Sequence, residues 1–203
     1  MGIFEAFGTQ AAQVALRVAT VAVLSGLIAA ICWSDLRHRR IPNRLVAAGL
    51  AVALAYHGLA LGGAGLFDYY SHGGIGLRSA ALGAALGFGG FLVLHAAGAV
   101  GAGDVKLMAM LGAVFGATAL PKLALLIFLS GGLLVAVRII DRERRRAVFA
   151  NLRLIAFAQI AAISGGVGPR FDPRTDTAHR MPFAIPMALG AIALAAAQWG
   201  FGS

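Results

Sequence analysis

Long apolar runs alternate with short polar turns along this chain, and that alternation sets its architecture. Six apolar segments can be drawn, at about 12–34, 43–62, 78–99, 104–118, 120–140 and 183–201. Crossing about 30 Å of hydrocarbon takes roughly 20 helical residues. Five segments meet or approach that length, and the fourth is short for a span. The pattern predicts an all-α, polytopic integral membrane protein with about six transmembrane helices, forming one domain over residues 1–203.

One long polar stretch, 141–182, interrupts the pattern. Within it, Val148 to Phe157 has the composition of an amphipathic helix lying on headgroups. A seventh span at 147–163 is the competing assignment, opposed by its short length and by Arg153 in its middle. The glycines from Gly165 to Gly168, Pro169 and the polar run to Arg180 read as loop. Small residues recur at four-residue spacing, Gly83 with Gly87 and Gly112 with Gly116, which permits close helix contact in lipid.

Composition agrees with the pattern. The chain is 60% hydrophobic and 12% charged, against about a quarter charged in a soluble domain. Net charge is +9, and 14 of the 17 Lys and Arg fall in residues 37–44, at Lys106, or in 138–180. Basic residues mark cytoplasmic loops, so the turns after segments one, three and five face the cytoplasm, with both termini and loop 63–77 outside. The positive charge decorates membrane loops, not a soluble face with a recognition motif, which excludes nucleic-acid binding and leaves contact with anionic lipid. The N-terminus lacks the basic start of a signal peptide, because Glu5 precedes the first basic residue, Arg17. The single cysteine, Cys32, excludes an internal disulfide and a cysteine metal site, and reads as a small apolar filler. His95 reads as a packed, hydrogen-bonded histidine, and Trp33 and Trp199 as interfacial.

Only eight residues are acidic, and two of them sit where an apolar segment meets a polar turn. Asp35 ends the first segment, in Ser34-Asp35-Leu36-Arg37-His38-Arg39-Arg40-Ile41-Pro42-Asn43. Asp104 opens the fourth, in Gly101-Ala102-Gly103-Asp104-Val105-Lys106-Leu107. Singly, each has an ordinary reading: Asp35 as an interfacial charge, Asp104 as a helix cap. Pro42 suits a first helical turn, Gly101 and Gly103 permit a tight turn or close approach of another chain, and Lys106 is more simply a membrane-edge anchor than a carboxylate partner.

Together the two motifs resemble the prepilin peptidase family of polytopic aspartyl proteases. That family's signatures are an aspartate shortly before Ile-Pro-Asn, and Gly-x-Gly-Asp-x-Lys-Leu; Gly-x-Gly-Asp alone also occurs in presenilin-like proteases. Pro182 and Phe183, in Met181-Pro182-Phe183-Ala184-Ile185-Pro186, are similar to the Pro-rich start of the family's last span. The resemblance runs from about residue 20 to the end. It implies a GxGD-type fold with Asp35 and Asp104 catalytic, and with Gly101, Gly103, Lys106, Ile41, Pro42, Asn43, Pro182 and Phe183 as motif support or substrate contacts. It implies no metal and no cofactor. The substrate would be a prepilin with a basic leader and an apolar helix, cut at the cytoplasmic face of the bacterial inner membrane. A homo-oligomer is compatible with it. Larger members carry a Cys-x-x-Cys domain with N-methyltransferase activity; the chain between segments one and two is too short for it, as in the peptidase-only form of Flp/tight-adherence pili.

A carboxylate pair shares one proton, because like charges close together resist double ionisation. Helix ends assign it: Asp104 at a helix N-terminus would carry the charge, and Asp35 near a C-terminus would hold the proton. Two other classes are compatible with paired aspartates: a proton-coupled transporter, and a structural component of a secretion assembly with both aspartates as caps. Transporters place such groups near the midplane, whereas these fall at one edge.

Overall fold

The computed structural model describes residues 3–68, 73–138 and 182–200. The amphipathic helix or seventh span expected at 147–163 and the loop to Arg180 lie outside the described residues, as do Tyr69, Tyr70 and His72. Contacts divide the chain into two compact units, Met1–Ser130 with Pro182–Ser203, and Gly131–Met181. Of the second, the described residues cover only the last turns of one helix. Everything that follows concerns the first.

Six α-helices occur among the described residues, one for each apolar segment, and no strand: α1 (Ile3–His38), α2 (Asn43–Leu59), α3 (Leu77–Ala96), α4 (Ala102–Phe115), α5 (Leu120–Arg138) and α6 (Ala184–Gly200). Three stretches are long and apolar enough to cross a membrane, Gln10–His38, Leu77–Ala96 and Ala117–Val137; Ala184–Trp199 is a shorter apolar helix. At 1.5 Å per residue, α2 spans about 25 Å and α4 about 21 Å. The protein is thus an all-helical membrane protein with fewer full-length spans among the described residues than the six drawn from hydropathy, because α2, α4 and α6 stop short.

The turns explain where helices end. Arg39, with φ of 53°, is the one described non-glycine residue in the left-handed region, and its N–H bonds to the Asp35 carbonyl (3.0 Å) to close α1. Pro42 then precedes α2 as its N-cap, one place earlier than its expected first-turn position, and its carbonyl accepts the N–H groups of Leu45 and Val46. α3 ends in a glycine-capped reversal: Gly98, φ 78°, lets Ala99 N–H reach Leu94 O and Gly98 N–H reach His95 O, each at 2.9 Å. A short 3₁₀ turn, Ala117–Ala119, joins α4 to α5.

α4 is the centre of the bundle, in contact with α2, α3 and α6. From Asp104 to Phe115 every residue except Lys106 is buried. Its closest neighbour is α3, and glycine makes that approach possible. A Cβ on Gly83 would collide with the Gly112 carbonyl, one on Gly112 with the Gly83 carbonyl, and one on Gly87 would lie 2.7 Å from Met108 O. The two four-residue glycine pairs seen in the sequence therefore belong to a single helix crossing. In lipid, where apolar side chains gain little from leaving the solvent, such backbone proximity is what holds helices together.

At the end of the bundle away from Asp35, Arg17 holds the 60–76 connection. Its Nε donates to Leu66 O (2.9 Å), its Nη2 to Asp68 O (3.3 Å), and its guanidinium lies 4.8 Å from the Trp199 ring centroid. An isolated bridge pairs Gly62 with Gly74.

Candidate active site

Four polar side chains are buried among the described residues: Thr20, His57, Asp35 and Asp104. Thr20 and His57 are accounted for by backbone carbonyls, Leu16 O and Val114 O. The two aspartates are held differently. Asp104 Oδ2 accepts the N–H of Gly101 at 2.9 Å, across the first turn of α4. Asp35 Oδ2 accepts the N–H of Ala184 at 3.1 Å, from the first residue of α6. Each carboxylate is thus pinned through one oxygen by a backbone N–H at a helix N-terminus. The second oxygen of each has no protein hydrogen bond among the described residues and keeps contact with solvent, since no buried side-chain oxygen is left unsatisfied. The side chains are nonetheless only 7% and 8% exposed.

The motifs around them dock on one another. Gly103 lies against Ile41, whose Cβ would be 3.1 Å from a Cβ at that position. Lys106 Nζ donates to Asn43 Oδ1 (2.9 Å). Ile41-Pro42-Asn43 and Gly-x-Gly-Asp-x-Lys therefore form one assembly, with α1 delivering Asp35 beside it. Lys106, read from sequence as a membrane-edge anchor, is exposed and bonded to Asn43. Gly101 has a separate reason to be small: a Cβ there would sit 3.0 Å from Asp104 Oδ2.

Electrostatics links the pair. Burial pushes the Asp104 carboxyl up to about 6; the Gly101 N–H opposes that, the Asp35 charge adds to it, and His95 works against it. A helix N-terminus favours an anion by about 0.3–1 kcal/mol. Burial, the largest influence on this carboxyl, outweighs that preference. Asp35 too receives a helix-start N–H, so in this respect the two carboxylates are alike.

The sequence model of the type IV leader peptidase family matches residues 22–139, more than half of the chain. The chain belongs to the type IV leader peptidase family. No curated protein and no solved structure matches it. The matched region contains both aspartates and both docked motifs; α6 lies beyond it.

Within this family member the remaining expected residues fall as follows. Pro182 is buried and Phe183 partly so, and Phe183 packs against Phe128 of α5 (ring centroids 6.5 Å), which stacks on Phe91 of α3 (6.2 Å). His95 Nδ1 pairs with Val100 O (2.8 Å), bracing the α3–α4 turn, as a packed histidine should. Cys32 is more than filler: its thiol donates to Ala184 O at 3.5 Å. Sequence reasoning missed His57, which lies inside the second apolar segment and is more deeply buried than His95. Its Nδ1 accepts the Ile75 N–H (3.3 Å), which leaves Nε2 to donate to Val114 O (3.0 Å). It also missed Arg17, a cation outside the basic clusters; its position about 27 Å before Asp35 on the same helix was the available signal. Among the described residues no cluster of His, Cys, Asp and Glu fits a metal ion.

Proposed function

We propose that the chain is an aspartic endopeptidase that removes the leader of type IV or Flp-type prepilins at the cytoplasmic face of the bacterial inner membrane, without methyltransferase activity. The observation that carries this reading is the pair of buried carboxylates, each fixed through one oxygen and open at the other, beside two interlocked motifs.

The pair works with one proton. Asp104, whose burial favours the neutral form, keeps it; Asp35 acts as the base. Asp35 takes a proton from water as that water attacks the scissile carbonyl, and Asp104 donates a hydrogen bond to the oxyanion. Collapse of the tetrahedral intermediate sends the proton from Asp35 to the leaving amine. This reverses the assignment that helix ends suggest. A substrate with a basic leader and an apolar helix would place its junction at the membrane edge, where both aspartates stand.

The test is direct. Purified protein and a full-length prepilin are combined in vesicles, with Asp35→Asn and Asp104→Asn alongside. A leader-sized mobility shift, abolished in both variants while each inserts and folds normally, is expected. Substantial cleavage by either variant would refute the pair.

A further inference from the structure

α6 begins against the candidate base. Cys32 and Asp35 are three residues apart on α1 and so share a face. Both engage the backbone of one residue, Ala184: the thiol donates to its carbonyl, and the carboxylate accepts its N–H. Ala184 itself is fully buried. On the other side, the preceding residue, Phe183, packs its ring on Phe128. The start of α6 is therefore gripped through its backbone by α1 and through a side chain by α5.

We propose that the backbone of Ala184 is a positioning group for Asp35. Its N–H fixes one carboxylate oxygen and turns the other toward the reacting water, while the Cys32 thiol holds Ala184 in register by its carbonyl. This assigns a role to Cys32 and to the segment at Pro182–Ala184, which lies beyond the region matched by the family. It rests on the peptidase reading for its kinetic consequence, but the tie itself is separately observable. Cys32 is the single thiol of the chain, so its S–H stretching band is unobscured and reports its hydrogen bond to Ala184.

Ala184→Pro is the sharpest variant. Proline deletes the N–H, keeps the carbonyl, and is accepted at a first helical position. A hydrogen bond to a charged group contributes enough that its loss should lower kcat by about tenfold to a hundredfold, with KM for the prepilin changed less than about threefold. An unshifted S–H band in that variant shows α6 still docked. Wild-type kcat together with an unshifted band overturns the proposal. Should Ala184→Pro not fold or not dock, Cys32 decides: Cys32→Ser is expected to retain activity and Cys32→Ala to lose a few-fold in kcat, and equal activities would overturn it. The wild-type S–H band is expected at the lowered frequency of a hydrogen-bonded thiol; a free-thiol frequency refutes the tie without reference to catalysis. Absence of any cleavage by the wild-type protein, with the lowered band present, would remove the peptidase reading and leave the tie standing.

Discussion

At the residue scale the two aspartates make a testable pair because their burial has a cost. Asp104 is pushed up to about 6, above its ordinary value of 3.8. The sign is that of a carboxyl whose folded form favours the proton. Its contribution to stability is full below about pH 4 and is lost as pH rises through about 6. Asp104→Asn, neutral throughout, should therefore melt at a higher temperature than wild type at about pH 8, with the gap narrowing toward about pH 5; a constant gap in calorimetry would contradict this. The same proton is needed for the oxyanion, so kcat/KM should fall along an alkaline limb beginning at or above about pH 6, a property of the pair rather than of one residue. A rate still climbing to about pH 9 would count against it. The aspartates and their glycines were legible in the sequence because the motifs are local. Their surroundings were not, since Asp35 is tied to Ala184, 149 positions away, and the raised pKa of Asp104 follows from how deeply the fold buries it.

At the element scale the α3–α4 crossing is the most exacting contact. Gly83→Ala or Gly112→Ala forces a methyl group onto a facing carbonyl, and overpacking of this kind costs about 1–3 kcal/mol. Both should lower the unfolding temperature in micelles, whereas Gly89→Ala and Gly90→Ala, on the same helix with nothing within 4 Å, should not; equal effects at all four positions would refute the crossing. Gly103→Val should displace Ile41 and cut activity, while Lys106→Ala breaks only an exposed bond, worth under about 1 kcal/mol by analogy with exposed ion pairs. Measured cleavage rates and melting temperatures separate the two. The four-residue glycine spacing announced a close approach but not which helices met, because every apolar segment offers small residues. Helix ends were harder: the short α4 and the early stop of α2 depend on Gly116 and on the cap at Ala60, where hydropathy continues.

At the scale of the molecule, Arg17 and Asp35 stand about 27 Å apart along α1, close to the thickness of a hydrocarbon layer. One tethers the 60–76 connection and the other faces the candidate site. In a Cys32→Ser background, a cysteine at Gly63 should label with an impermeant maleimide from outside the cell, and one at Arg40 only after the membrane is opened; the reverse pattern would invert the topology. Loop charge predicts this orientation, whereas Arg17 lies outside the basic clusters and is accounted for by its carbonyl partners. Finally, the enclosure of α4 by α2, α3 and α6 bears on how this protein tolerates change. A helix facing lipid accepts almost any apolar side chain, because hydrocarbon has no shape to match. From Asp104 to Phe115, Lys106 apart, α4 is buried in protein, so its Met, Leu, Val and Ala positions there obey the rules of a soluble core, where an added or missing methylene is felt. In a saturation mutational scan the least hydrophobically demanding part of a membrane protein would then be its outer helices. α4, the shortest of the described α-helices, would be the most intolerant, with Ala102 and Lys106 as its permissive positions.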